Sequence, residues 1–231
     1  MLVVQHEDDD PIHLMGDWMT GVDFVVCRPY DGDQVPESLD GVDGMVVMGG
    51  AMGAHDDQKA PWLPAVRELI RTAAANEVPT LGICLGHQLC AVALGGDIEV
   101  NPRGRQLGLY DVGWTAEAVD DELLGDLTTP RRAMHWNDDV VAVLPAGARR
   151  LATASGGEVQ AVRYAPTVWG IQWHPEVDDD LVAHWANDGT LAESEKARVL
   201  DDLARSRAAL DDAWQPLATR FAELVVAHAA R

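Results

Sequence analysis

Through the first hundred positions the apolar residues fall into short runs whose spacing switches between two periods. Leu2 to Gln5 is a brief apolar run, and Ile12 to Met19 carries apolar residues at helical spacing. Asp23 to Cys27 is rich in β-formers, and Gly44 to Met48 (GMVVM) reads as a buried strand closed by Gly49-Gly50. Pro61 to Ala75 then places Trp62, Val66, Leu69, Ile70 and Ala73 on one helical face, with Pro61 suited to the first turn. Val78 to Ile83 is the next strand, and Leu85 to Leu94 the next helix, ended by Gly95-Gly96. The order strand, helix, strand, strand, helix, strand, helix predicts an α/β fold with an open, mostly parallel central sheet and helices on both faces.

From Gln106 to Gln172 the pattern becomes strand-rich, with turn signals at Pro145-Ala146-Gly147 and Ser155-Gly156-Gly157. Here the sheet is expected to continue and to acquire an antiparallel portion. Beyond Val177 the pattern is helical. Leu210, Ala213, Trp214, Leu217, Phe221, Leu224, Val225 and His228 form a stripe that predicts a docked C-terminal helix. No internal repeat, low-complexity tract or long linker interrupts the chain. The expectation is one domain over 1–231, with a core over about 1–185 and a helical extension over about 178–231.

Composition narrows the function classes. The 231 residues carry a formal charge of −21, from 38 acidic against 17 basic residues. A surface this acidic repels phosphate backbones, which argues against nucleic acid as a partner. No run approaches the roughly 18–20 apolar residues of a membrane span. The opening MLVVQHEDDDP has no basic stretch ahead of an apolar one, so no signal peptide or membrane association is expected, and the protein is expected in the cytoplasm. Three cysteines, Cys27, Cys84 and Cys90, form no framework. With no CxxC, HExxH or P-loop pattern, neither a metal, a cofactor nor ATP use is expected.

One cysteine stands apart. Cys84 is bracketed in Gly82-Ile83-Cys84-Leu85-Gly86, where a strand signal meets a helix signal. A strand turning sharply into a helix crowds its own backbone, so small residues are needed two before and two after the turn. The residue between them is left strained and projecting. The helix N-terminus favours a thiolate there, and the Leu85 N–H can face an oxyanion. Cys27, on a strand, and Cys90, on the inner face of the following helix, read as buried structural thiols.

A thiol nucleophile needs a base. His174 ends the apolar run Val168 to Trp173, and along an extended chain Glu176 points to the same side. A carboxylate beside an imidazole fixes its tautomer, which completes a Cys84–His174–Glu176 arrangement. At this point GGAMGAHDD (49–57), LGICLGHQLCAVALGG (81–96) and GIQWHPEV (170–177) together resemble the class I glutamine amidotransferases, close in type to the glutaminase portion of GMP synthase. An α/β-hydrolase accounts for less of the chain, because the acid of that family usually precedes the histidine as a separate element.

The resemblance implies that Cys84 attacks the glutamine side-chain amide, His174 shuttles the proton, and ammonia leaves behind a γ-glutamyl thioester. It implies backbone donors at Gly50 and Leu85 as the oxyanion hole, and Gly49, Gln88 and Asp138 as substrate-binding residues. Ala51 stands where many relatives have proline. In MHWNDDVV (134–141), Trp136 and Asn137 occupy the histidine and glycine of a His-Gly-Asp stretch, with Asp138 retained and His135 one place off. This departure marks either an altered pocket for the α-amino acid end of glutamine or a different γ-glutamyl substrate. Arg103 and Arg105 form either a carboxylate-binding pair or a solvated loop. Three functions follow. The chain is a glutaminase serving an acceptor synthase on another chain, or a stand-alone γ-glutamyl hydrolase or peptidase, or else a regulatory subunit that binds glutamine without catalysis.

Overall fold

The computed structural model describes residues 1–187 and 189–231. Its first half follows the expected order: β1 (Leu2–Val4), α1 (His13–Trp18), β2 (Val25–Cys27), β3 (Met45–Val47), α2 (Leu63–Ala75), β4 (Thr80–Ile83) and α3 (Leu85–Ala93). Pro64, not Pro61, occupies the first turn of α2; Pro61 lies in the turn ahead of it. The second half adds β5 (Asp97–Val100), β6 (Gln106–Asp111), β7 (Gly113–Trp114), β8 (Arg132–Asn137), β9 (Asp139–Val143), β10 (Arg149–Thr153), β11 (Val159–Ala165) and β12 (Val168–Ile171). Two helices close the chain, α4 (Asp179–Trp185) and α5 (Glu193–Ala229).

The central sheet is 8-stranded, in the order β2-β1-β3-β4-β12-β11-β10-β7. It is mixed: parallel from β2 through β12, antiparallel from β12 through β7. The antiparallel part follows from its connections. A tight turn suffices to reverse a strand, whereas a parallel neighbour needs a long crossover. Such a turn, ending at Gly157 with φ +95°, joins β10 to β11. Two further antiparallel ribbons, β5–β9 and β6–β8, stand apart from this sheet.

Side chains alternate across the sheet and divide the interior in two. Leu2, Val4, Met45 and Val47 point to the side covered by α2 and α3, where they join Val66, Ile70, Leu85 and Leu89. Val3, Val46, Leu81 and Ile83 point to the opposite side, where Trp214, Leu217, Phe221 and Val225 of α5 cover them. Helix α5 spans 37 residues and docks through a buried stripe from Val199 to Val225. Trp214 Nε1 donates to Arg132 O at 3.0 Å, tying α5 to β8. Near its end α5 approaches the chain ahead of β3 so closely that a Cβ on Gly44 would lie 2.4 Å from Val225 Cγ2. Pro216 sits on the exposed side, where water can serve the carbonyl left without a donor. No helix among the described residues is long and apolar enough to cross a membrane.

Because Phe221 is fully buried against the sheet, Phe221→Ala should lower the unfolding free energy by roughly 3–5 kcal/mol in urea denaturation. Val226→Ala, on the exposed face of the same helix, should change it by no more than about 0.5 kcal/mol.

Candidate functional site

The site lies beyond the carboxyl ends of β1, β3, β4 and β12, where open α/β sheets leave a crevice. Cys84 is the single residue between β4 and α3, with φ +49° and ψ −104°. Side chains other than glycine rarely adopt this conformation, and the neighbours explain why it holds. A Cβ on Gly82 would lie 2.4 Å from Gly86 O, and one on Gly86 would lie 2.0 Å from Val47 O. The strand, the turn and the helix therefore touch backbone to backbone. Cys84 N–H donates to Ile171 O at 2.9 Å, and Cys84 O accepts from Gln88 N at 3.1 Å, so the turn is bonded on both sides.

The parallel pairing of β4 with β12 brings distant positions together. Gly82 stands beside Gly170 and Ile83 beside Ile171, so the residues that follow each strand meet. His174 N–H donates to Met134 O at 2.8 Å, which anchors the chain beyond β12. His174 Nδ1 and Glu176 Oε1 are 2.6 Å apart, both residues nearly or fully buried. Glu176 O accepts from Leu14 N–H of α1 at 3.1 Å. With Nδ1 engaged by a carboxylate, Nε2 is the nitrogen left to exchange a proton. It is buried, with no hydrogen-bond partner of good geometry among the described residues. Burial opposes a charge on His174, yet Glu176 and then Cys84 overcome it and push the imidazole well above its ordinary range.

Gln172 is fully buried two residues before His174, and its Nε2 donates to Cys84 Sγ at 3.5 Å. Sequence reasoning missed this residue, although the alternation that pairs His174 with Glu176 in GIQWHPEV puts Gln172 on the same side. Gln88, one turn along α3, donates from Nε2 to Asp139 O at 3.1 Å and to Gln172 Oε1 at 3.4 Å.

A cleft of about 500 Å³ opens above Cys84 and is lined by Gly50, Gln88, Asp138 and His174 among the expected residues. Gly49 is buried at its base, where a Cβ would come within 3.2 Å of His174 Cε1 and 3.3 Å of Asp10 Oδ2. Leu85 is buried at the start of α3. Asp138 is exposed at the rim, 3.7 Å from Arg105 Nε, and the Arg105 guanidinium lies 5.6 Å from the Trp136 ring centre. Arg103 instead pairs with Glu158 at 3.6 Å, so the two arginines do not act as a pair. Trp136 faces the cleft and packs on Trp185, whose ring also meets His174 edge to face at 4.9 Å. Trp185 Nε1 donates to Asp9 O at 2.9 Å, which fastens the end of α4 over the site.

Glu7, Asp9 and Asp10 also line the cleft, and nothing in the acidic run EDDD distinguishes them from solvated charge. Glu7 Oε1 accepts from Ala51 N–H at 2.6 Å, which holds the loop after Gly49-Gly50. Burial raises the Asp10 carboxyl well above the ordinary range; His174 opposes the rise, and neighbouring Glu7 and Glu176 add to it. Its surroundings therefore favour the neutral carboxyl over the carboxylate. Asp10, His174 and Glu176 each bring one ligand-type atom within 4.8 Å of the others. These are donors a divalent cation accepts, but His174 Nδ1 already bonds Glu176, so the bonded pair is His174–Glu176, with Asp10 beside it and Asp10 Oδ1 without a hydrogen-bond partner among the described residues.

Three other histidines border the site and stay neutral. His6, beneath Gly50, accepts from Trp62 Nε1 at 3.0 Å; His87 lies 3.0 Å from Tyr164 OH; His135 lies 3.2 Å from Gln160 Nε2. Burial lowers each to about 3. His135, the near neighbour of the expected family position, thus belongs to the core, and Trp136 takes the cleft.

With this geometry in place, comparison with known proteins defines the class. Residues 20–182 match the family model of class-I glutamine amidotransferases, and the chain belongs to that family. A protein from Natronomonas pharaonis named as a subunit of glutamine-hydrolyzing GMP synthase is 36% identical over 148 residues, covering 64% of this chain and 72% of that one. The protein of the same name from Halobacterium salinarum is 33% identical over 166 residues, 71% of this chain and 82% of that one. A crystal structure of a glutamine amidotransferase from Thermotoga maritima superposes with a TM-score of 0.85 at 26% identity, covering 96% of this chain and 97% of that one.

Gly86→Ala should destabilise the fold by roughly 3 kcal/mol or more, because backbone cannot yield to the new methyl. Gly53→Ala, whose Cβ would lie 3.5 Å from Asp139 Oδ2, should be tolerated; chemical denaturation of both variants checks this. Because His6, His87 and His135 are depressed from 6.5 to about 3, their stabilising contribution is complete above about pH 6.5 and is lost as pH falls toward 3. His174, raised instead, contributes with the opposite sign. In high salt, which screens surface repulsion, the melting temperature should begin to fall near pH 6.5, above the range of ordinary carboxylates.

Proposed function

We propose that the protein is a glutaminase-type amidohydrolase in which Cys84, His174 and Glu176 form a catalytic triad. The observation that carries this reading is Cys84 itself, held at φ +49° at the head of α3 with the His174–Glu176 pair on the neighbouring strand end. Cys84 gives its thiol proton to His174 Nε2, and Sγ adds to the carbonyl carbon of the glutamine side-chain amide. The N–H groups of Leu85 and Gly50 receive the oxyanion, aided by the positive end of α3. His174 Nε2 passes a proton to the amide nitrogen, the C–N bond breaks and ammonia leaves. Water then gives a proton to His174 and adds to the thioester, releasing glutamate and the thiol. Glu176 keeps His174 in the tautomer that exposes Nε2 and stabilises the imidazolium. Gly49, Gln88 and Asp138 hold the α-amino acid end of the substrate, with Asp138 suited to an ammonium and its neighbour Arg105 to a carboxylate.

Ammonia made here would serve a separate acceptor enzyme. The archaeal relatives named as subunits of glutamine-hydrolyzing GMP synthase support that reading. Trp136 and Asn137, at positions where the family's histidine and glycine are expected, favour a second one: hydrolysis of another γ-glutamyl compound, whose larger leaving group the cleft of about 500 Å³ would admit.

Cys84→Ala should reduce glutamate release from glutamine at least about a thousandfold with an unchanged fold. A glutamine-like electrophile should label Cys84 and spare Cys90, whose thiol burial pushes up to about 12, and Cys27, which burial also raises. Glutamate release by the alanine variant at the normal rate would refute the mechanism. A screen of γ-glutamyl compounds, reading ammonia and glutamate separately, decides between the two substrate readings.

A further inference from the structure

Beneath Cys84 two buried amides are joined end to end. Asp139 O, a main-chain carbonyl, can only accept, so the end of Gln88 that faces it at 3.1 Å must be the NH₂ group. The same NH₂ lies 3.4 Å from the Gln172 side chain, which must therefore present its oxygen. That choice leaves the Gln172 NH₂ directed at Cys84 Sγ, 3.5 Å away. Asn137 Nδ2 donates to the same Asp139 O at 3.0 Å and helps to fix the carbonyl that sets the direction. Gln172 is completely buried and Gln88 nearly so, which makes reversal of either amide costly.

We propose that Gln88 and Gln172 form a polarised amide relay, oriented by the Asp139 carbonyl, that delivers an N–H donor to the Cys84 sulfur. Gln172 touches the reacting atom and is the catalytic member; toward the sulfur Gln88 acts through Gln172 and is a positioning residue, a role separate from the substrate contact proposed for it. The donor complements the helix N-terminus, because it reaches the sulfur from the β12 side. A thiolate gains more from a hydrogen-bond donor than a neutral thiol does, so the relay favours the nucleophilic form before substrate arrives. It also couples the sulfur to the cleft wall. Asn137 and Asp139 flank Asp138, which is proposed to hold the substrate, so displacement of that wall alters the donor presented to Cys84.

The inference rests on Cys84 being the nucleophile, and its test needs no glutamine. The rate of Cys84 alkylation by iodoacetamide is followed against pH in the intact protein, with the modified peptide identified by mass spectrometry. Gln172→Met, which keeps the volume and removes the donor, should move the midpoint of the profile up by about one unit, equivalent to about tenfold slower alkylation below the midpoint. Gln88→Met should shift it the same way by less, and Gln172→Glu, which puts an anion beside the sulfur, should shift it further. An unchanged midpoint in Gln172→Met, with wild-type circular dichroism and melting, overturns the relay. If that variant does not fold, Gln88→Met decides: an upward shift supports the relay and no shift overturns it. An upward shift in a protein that hydrolyses no γ-glutamyl compound leaves the relay standing and removes the substrate reading. Alkylation of Cys84 no faster than that of Cys90 removes both.

Discussion

The structure depends on the backbone contact at the end of β4. Gly82 touches the carbonyl of Gly86, and Gly86 touches the carbonyl of Val47, with no space at either for a methyl group. This contact lets α3 begin one residue after the strand ends and holds Cys84 in a conformation it would not otherwise keep. It also draws β3 and β4 against the same helix, which puts Gly49 beside His174 and Gly50 beside Leu85. The strain at one residue is sustained by close packing on both sides, as expected where a side chain must project from a rigid frame.

Much of this is legible along the chain. The short apolar runs Leu2 to Gln5 and Gly44 to Met48 mark central strands, and the stripe from Leu210 to His228 marks the long helix. The glycines at 82 and 86 encode the turn because their role is steric and local. What escapes has a common physical cause. The antiparallel portion is expected from the turn signals, but its strand order, β12-β11-β10-β7, depends on which strand each turn delivers its chain to, and a turn motif does not carry that information. Pro61 and Pro64 both suit the start of a helix, and tertiary packing chooses between them. Asp10 and Glu7 cannot be told from surface acids, because what engages them lies far along the chain: Gly49 and His174 beside Asp10, and Ala51 N–H on Glu7. Gln172 is within reach of the same period-two argument that finds Glu176, but an amide draws less notice than an acid.

Charge around Cys84 is arranged by exclusion as much as by pairing. His6, His87 and His135 are held neutral by burial, and burial raises the Asp10 carboxyl, whereas His174 beside Glu176 is pushed toward its charged form. The ionisable groups of the cleft wall, Glu7, Asp9, Asp138 and Arg105, stand outside this buried set. The sulfur itself is met by dipoles, the end of α3 and the amide of Gln172, as well as by the His174 ring.

The residues that surround the sulfur and those that roof the cleft come from different parts of the chain. Cys84, Gln172, His174 and Glu176 all fall within the stretch 20–182 that matches the family, whereas Glu7, Asp9, Asp10, His184 and Trp185 lie outside it on either side. The two flanks meet through the Trp185–Asp9 bond, so they form one structural unit although nearly the whole sequence separates them. Both flanks reach the reactive centre, because Trp185 meets the His174 ring and Asp10 lies beside it. A change at either end of the chain is therefore felt at the base that serves Cys84.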